Sequence, residues 1–282
     1  MAEAAPEELK DLKDHILICG WSPNILRIVE GLVTAGALAQ RSLVLVSQAE
    51  ETDIREVRER FPSLDVHHVY GPYQIEATLK RAGCEKASAA IVVADTTQGP
   101  DADNRTIICT LAIENLNSEV KTCAELLDGE NEPNLKRTGV DEVVITGAHT
   151  GFFLSSGALA PGLSKAAHKL VTPGSGSELR RAAIPEALLN KPFATLQERV
   201  RTSGGLVLGI IRESAVVTAA DLFGGGQDWI DVFIKNAFEA SGEDVFQKDA
   251  EPVKVIINPP DDFLVEFKDS AILIGAAEIT TN

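Results

Sequence analysis

The sequence predicts an α/β protein: a doubly wound, parallel-sheet, Rossmann-like domain, a helical crossover, and a smaller α+β C-terminal lobe. Three observations lead there. In the first half, short apolar runs alternate with helix-length segments at intervals of about 20–30 residues, the grammar of strands joined by crossover helices. The run Ala89–Ala94 is apolar at every position, as strands buried on both faces are. Beyond Thr172-Pro-Gly-Ser-Gly-Ser177, the clearest linker, strands and helices stop alternating.

Residues 1–14 read as a charged lead-in, a candidate linker helix. His15-Ile-Leu-Ile-Cys19 is a first strand running into the turn Gly20-Trp-Ser-Pro-Asn24. Ile25, Ile28, Val29 and Leu32 then follow at helical spacing. Leu43–Val46 is a second buried strand, Ile54–Phe61 a charged helix closed by Pro62, and Val66–Tyr70 a third strand. Ile75–Ala82 is a helix with Gly83 at its end, where a left-handed residue is wanted. Ala89–Ala94 is the fourth strand, Asn104–Leu116 a helix, Val120–Ala124 the fifth strand, Asn131–Arg137 a helix and Glu142–Ile145 the sixth strand. Phe152–Val171 reads as a helix pair broken at Pro161-Gly162. In the last part, strands are expected at Leu179–Ile184, Leu206–Ile211, Val253–Ile257 and Ala271–Ile274. Helices are expected at Phe193–Val200 and Trp229–Ala240, with a loop at Gly224–Gln227. The domain boundaries implied are 14–150, 151–177 for the crossover and linker, and 178–282.

Composition narrows the function classes. At 282 residues the chain suits two domains, and 44% apolar content is ordinary for globular proteins. The longest apolar runs fall short of the roughly 18–20 residues a membrane span needs, and the opening residues do not read as a signal peptide. A net charge of −16 argues against nucleic acid, whose phosphates demand a basic face. Cys19, Cys84, Cys109 and Cys123 form no C-x-x-C pair, and Cys19, Cys109 and Cys123, in apolar runs, read as buried free thiols. His67 and His68 are adjacent on a strand, point to opposite faces and cannot share a metal.

Right-handed crossovers place the strand-to-helix loops on one edge of the sheet, where a ligand belongs. In the first loop, the dinucleotide pattern G-x-G-x-x-G is reduced to Gly20, with Ser22 and Ile25 at the later glycines. Phosphates would rest on residues Gly20, Trp21, Ser22, Pro23 and Asn24 at a helix N-terminus, with Gly20 leaving them room. The usual ribose-binding acid after the second strand is replaced by Ser47-Gln48, able to accept a weaker hydrogen bond. Gly71-Pro72 and Ala94-Asp95-Thr96 would line the base pocket, and Asn104-Arg105 could meet a phosphate. The acids of Asp95–Asp103 and Glu125–Asp128 share this edge, as calcium ligands or as solvated loop acids. No catalytic elbow, zinc helix or Walker lysine is present, which points to a binder.

At these residues the chain resembles the RCK (KTN) domain, the regulator of potassium conductance. The likeness lies in Ile16-Leu-Ile-Cys-Gly-Trp-Ser22, Ala89-Ala-Ile-Val-Val-Ala-Asp95, Asp103-Asn-Arg-Thr-Ile107 and Asn131-Glu-Pro-Asn-Leu-Lys-Arg-Thr-Gly139. It continues in Pro259-Pro-Asp-Asp262 and Lys268-Asp-Ser-Ala-Ile-Leu-Ile-Gly275. The similarity spans 14–277 apart from an insertion near 218–250. It implies a cytoplasmic gating-ring subunit at the inner face of the membrane, eight domains to a ring, with the helices after the sixth strand crossing between paired subunits. It implies an adenine nucleotide (NAD, ADP or ATP) as ligand, and the pore of a potassium channel as partner. Glu125 matches a calcium ligand of the family, and Asp95 on the same edge is its candidate companion. The family's next acid is replaced here by Leu127.

The resulting expectation is a nucleotide-sensing regulator of potassium flux, not an enzyme, with a divalent cation as a second candidate ligand. An NAD-dependent oxidoreductase and a free-standing regulator of a potassium transporter are the alternatives. Phe152, Phe153, Leu154, Leu159, Leu163 and Leu170, beside the linker, predict an obligate oligomer.

Overall fold

The structure, a computed structural model, describes residue 9, residues 11–172, 174–213 and 253–275, and residue 279. The expected loop Gly224–Gln227, the expected helix Trp229–Ala240 and all of the insertion near 218–250 lie outside the described residues. The chain divides into two compact units, the first ending at Ser164 and the second beginning at Lys165.

The first unit is built on six strands: β1 (Ile16–Cys19), β2 (Leu43–Ser47), β3 (Val66–Tyr70), β4 (Ala89–Val92), β5 (Lys121–Leu126) and β6 (Glu142–Ile145). They form one parallel sheet in the order β3-β2-β1-β4-β5-β6. Crossovers are made by α1 (Ile25–Thr34), α2 (Glu51–Arg60), α3 (Glu76–Arg81), α4 (Ala102–Leu116) and α5 (Glu132–Lys136). Every residue of β1 and β2 is buried, because helices cover both faces of the sheet. One face packs Ile18, Leu43 and Leu45 with Ile25, Val29, Ile54 and Val57 of α1 and α2. The other packs Leu17, Val44 and Val46 with Leu79 of α3, Cys109 and Ile113 of α4 and Leu135 of α5. Helix α2 carries Glu51 and Asp53 in its first turn and Arg58 and Arg60 in its last, matching both ends of its dipole. Gly83 takes its left-handed conformation just past α3, as expected.

Most of the expected lead-in helix, residues 1–8 and 10, lies outside the described residues; Leu9 donates its N–H to the Arg81 carbonyl and Asp14 to that of Lys86, bonding across to the domain. One expectation needs correcting: the fourth strand stops at Val92, two residues early. There the Val93 N–H still bonds to the Cys19 carbonyl, but the Ala94 N–H turns to a side chain, Glu125.

After the sheet come α6 (Thr150–Leu159) and α7 (Leu163–Val171), split at the expected Pro161-Gly162. No residue of α6 is buried, and Leu159 is 86% exposed.

The second unit has strands β7 (Leu179–Ala183), β8 (Leu206–Glu213), β9 (Val253–Ile257) and β10 (Asp269–Ile274), antiparallel in the order β7-β10-β8-β9. One face is covered by α8 (Phe193–Thr202), whose Phe193, Leu196 and Val200 pack on Val207, Ile210 and Leu273. Arg212 of β8 reaches the start of β10 and the loop before it: its fork meets both oxygens of Asp269 at 2.9 Å, and its third nitrogen meets Glu266. Among the described residues, no helix is long and apolar enough to cross a membrane.

Candidate functional site

The strand order reverses between β1 and β4: the chain winds outward one way from β1 through β2 and β3, and the other way from β4 through β5 and β6. In open α/β sheets, ligands bind outside the carboxyl ends of the strands at such a reversal. The loops after β1, β2, β3, β4 and β5 all reach this edge, so the structure brings the expected residues to one side of one sheet.

The first turn is tied down from within. Gly20 has φ of +90° and donates its N–H to the Val46 carbonyl. A Cβ on it would stand 2.7 Å from the Val93 carbonyl oxygen and 3.4 Å from the Asp95 Cβ. The glycine therefore lets β1 and the end of β4 close against each other. The Trp21 N–H goes to Asp95 Oδ2 at 3.1 Å. Ser22 Oγ accepts the Asn24 N–H at 3.1 Å, and the Ser22 carbonyl accepts the Ile25 N–H. Pro23 and Asn24 are exposed, and the Asn24 side chain makes no cap on α1.

After β2, Ser47 is fully buried; its Oγ lies 3.2 Å from His68 Nε2 and accepts the Ala49 N–H, so it serves the loop. Burial holds the His68 pKa below its ordinary value, with the Ser47 bond opposing. Gln48 beside it is half-buried. After β3, Gly71 donates to the Ser47 carbonyl, Pro72 is half-buried, and Tyr73 packs into the core.

Asp95 is the centre of the edge. It is 1% exposed, and its other oxygen accepts the N–H and hydroxyl of Thr97. Thr96 beside it is exposed. Arg105, expected to meet a phosphate, instead donates Nη2 to the carbonyls of Asp95 at 2.7 Å and Gly99 at 3.0 Å, closing the loop before α4; Asn104 is exposed. Glu125, at the end of β5, receives the Ala94 N–H at 3.0 Å on one oxygen and the Thr146 hydroxyl on the other. Glu125 thus holds Ala94, the residue before Asp95, while the Asp95 carboxylate holds Trp21 and Thr97. Among the described residues, no group of three or more His, Cys, Asp or Glu surrounds one metal position. Leu127, in place of the family's acid, gives its N–H to Asp103.

The sequence reading named Asp103 without its role and did not name Tyr73. Asp103 accepts the N–H groups of Leu127 and Asp128 and the side-chain amide of Asn131, pinning the loop after β5 to the start of α4. Its acid in a helix's first turn was visible, but not its partners. Tyr73 is 2% exposed, and its hydroxyl, Arg105 Nε and Thr106 Oγ1 have no hydrogen-bond partner in the structure. Burial raises the Tyr73 pKa, with Arg105 opposing.

Residues 16–146 match the family model of the TrkA-N domain. The calcium-gated potassium channel TvoK of Thermoplasma volcanium is 27% identical over 159 residues, covering 55% of this chain and 43% of that protein. Probable potassium channel protein 2 of Methanocaldococcus jannaschii is 26% identical over 214 residues, 73% of this chain and 58% of that one. The chain thus spans roughly half the length of these two relatives. Among solved structures, the GsuK channel bound to NAD is 20% identical. The match covers 93% of this chain and 36% of that one with a TM-score of 0.40, too loose a likeness to carry an argument. Residues 16–146, a little under half of the chain, thus match the TrkA-N domain, and the relatives matched in part include potassium channels.

Proposed function

We propose that this chain is a ligand-sensing regulator of potassium flux that binds an adenine nucleotide of the NAD, ADP or ATP type in the crevice between β1 and β4. The observation that carries the reading is the reversal of strand order at β1 and β4, with a left-handed glycine ending β1, inside the residues that match the TrkA-N domain. The crevice is bordered by the turn at 20–24, by Ser47-Gln48, by Gly71-Pro72 and by Asp95-Thr96. The fit is best for the adenosine half of such a ligand. At the turn, Asp95 already receives the Trp21 N–H, so a phosphate approaching there meets a buried carboxylate.

That charge gives the divalent cation its place in the proposal. Asp95 and Glu125 together would hold calcium weakly, with remaining oxygens from water, a second copy or the nucleotide. Cation and nucleotide would then strengthen each other's binding by the same factor. TvoK is named for calcium gating, which supports a cation but does not place it.

The exposed apolar residues of α6, including Phe152, Leu154 and Leu159, support assembly with further copies, for which an octameric ring is proposed. Such a ring, at the inner face of the membrane, would act on a pore. It does so only if ligand binds one of its conformations better than another. The function is that of a binder, with no catalysis.

The test is calorimetry of NAD, ADP and ATP, each with and without calcium, on the wild type and on Glu125→Gln. Binding of at least one nucleotide, tightened by calcium in the wild type alone, is expected. Absence of binding for all three at millimolar ligand would refute the nucleotide reading. Identical calcium isotherms for the two proteins would remove Glu125 from the site. Light scattering that finds only monomer at micromolar concentration would refute the ring.

A further inference from the structure

The amino edge of the first unit's sheet, opposite the crevice, holds a buried histidine that nothing above uses. His15 precedes β1 and is fully buried. Its Nε2 lies 3.0 Å from the Ala82 carbonyl oxygen. A carbonyl only accepts, so Nε2 carries the ring's proton and Nδ1 is bare. Nδ1 is buried and has no hydrogen-bond partner among the described residues. The neutral ring suits this place. Protonation would put a second N–H, and a charge, where no acceptor meets them.

The charged groups around the ring do little to offset this. Asp14, next in the chain, is exposed and paired with Arg41 at 2.9 Å. His67, from β3, adds repulsion when protonated. The end of α3 offers backbone: the Ala82 carbonyl, and Gly83, on which a Cβ would lie 3.1 Å from His15 Cε1. Burial accordingly lowers the His15 pKa, opposed by the Ala82 bond, reinforced by His67 and opposed weakly by Asp14.

The same ring stands where the lead-in joins the domain. Leu9 is buried in the core, and its N–H reaches the Arg81 carbonyl at 2.8 Å. The Leu9 carbonyl comes so close to Gly83 that a Cβ there would be 2.9 Å away. Asp14, in a left-handed conformation at φ +55°, donates to the Lys86 carbonyl at 2.9 Å. Two backbone bonds, Leu9 and Leu12, the Asp14–Arg41 pair and the His15 ring hold the segment down.

We propose that His15 makes the docking of the lead-in sensitive to pH: the neutral ring locks residues 9–15 against the end of α3, and the protonated ring favours their release into water. The proposal stands apart from the nucleotide reading and shares no residue with it. Its sign follows from linkage. The docked ring resists protonation and the released ring titrates normally, so docking is complete above the released pKa and weakens as pH falls through it. With a released pKa of about 6.5, and a docked ring that stays neutral throughout, the released fraction grows about tenfold between roughly pH 7.5 and 5.5.

Amide hydrogen exchange across this pH range, corrected for the intrinsic rate at each pH, tests it on the full chain. In the wild type and in His67→Gln, protection of the Leu9 and Asp14 amides should fall about tenfold. In His15→Gln, whose amide can still donate to Ala82 but does not titrate, it should stay level. A level wild type, or an equal fall in His15→Gln, overturns the proposal. So does a fall shared equally by the core amide of Leu45, which would mark global unfolding. Should His15→Gln fail to fold, the ring carbon shifts of His15 in the wild type decide: titration near 6.5 with the lead-in still protected refutes it.

Discussion

Replacing Gly20 with alanine should weaken the first unit far more than its single methyl group suggests, and should do so without any ligand. The residue sits at φ +90°, a conformation that costs an L-residue about 1–3 kcal/mol. The added Cβ would stand 2.7 Å from the Val93 carbonyl oxygen and 3.1 Å from its Cγ2. The nearer contact is with backbone, so β4 must shift, an overpacking cost of about 1–3 kcal/mol. The total is about 2–6 kcal/mol, a large part of the ~5–15 kcal/mol by which domains are stable. Gly31→Ala is the matched control. It lies within α1, and nothing stands within 4 Å of its Cβ. It should stabilise by up to about 1 kcal/mol through helix propensity. Urea unfolding of both variants, with nucleotide absent, measures the contrast. Gly20→Ala within about 0.5 kcal/mol of wild type would refute the reasoning, because neither strain nor contact could then be as the structure has them.

Two further predictions follow from the packing. Arg212→Ala leaves Asp269, fully buried at its side chain, without its bidentate partner. It should destabilise the second unit by about 3–5 kcal/mol, and Arg212→Lys, lacking the fork, should recover only part of this, both read by chemical unfolding. Cys84 and Cys109 should resist iodoacetamide at about pH 8 in the folded protein and react in urea, because burial pushes the Cys84 thiol up to about 12 and raises Cys109. Mass spectrometry showing either one alkylated without urea would contradict that burial.

Much of the architecture was legible because it is written in local chemistry. The uniform apolarity of Leu17-Ile18-Cys19 and of Val44-Leu45-Val46 announces strands covered on both faces. Their alternation with helical spacing announces a parallel sheet, and Gly83 announces the end of α3. The edge that gathers Gly20, Ser47, Gly71, Asp95 and Glu125 follows from that alternation, because right-handed crossovers leave all these loops on one side. What those side chains do there was not legible. Whether Asp95 faces a ligand or the Trp21 N–H, and whether Arg105 meets a phosphate or two carbonyls, depends on atoms 10 or 74 positions away in sequence. The burial of His15 beneath Gly83 and Leu9 is of the same kind. Periodicity reports which face of an element is apolar, and so it determined the fold. A polar group's partner is set by which loops the fold brings within 3 Å, and only the tertiary structure decided that.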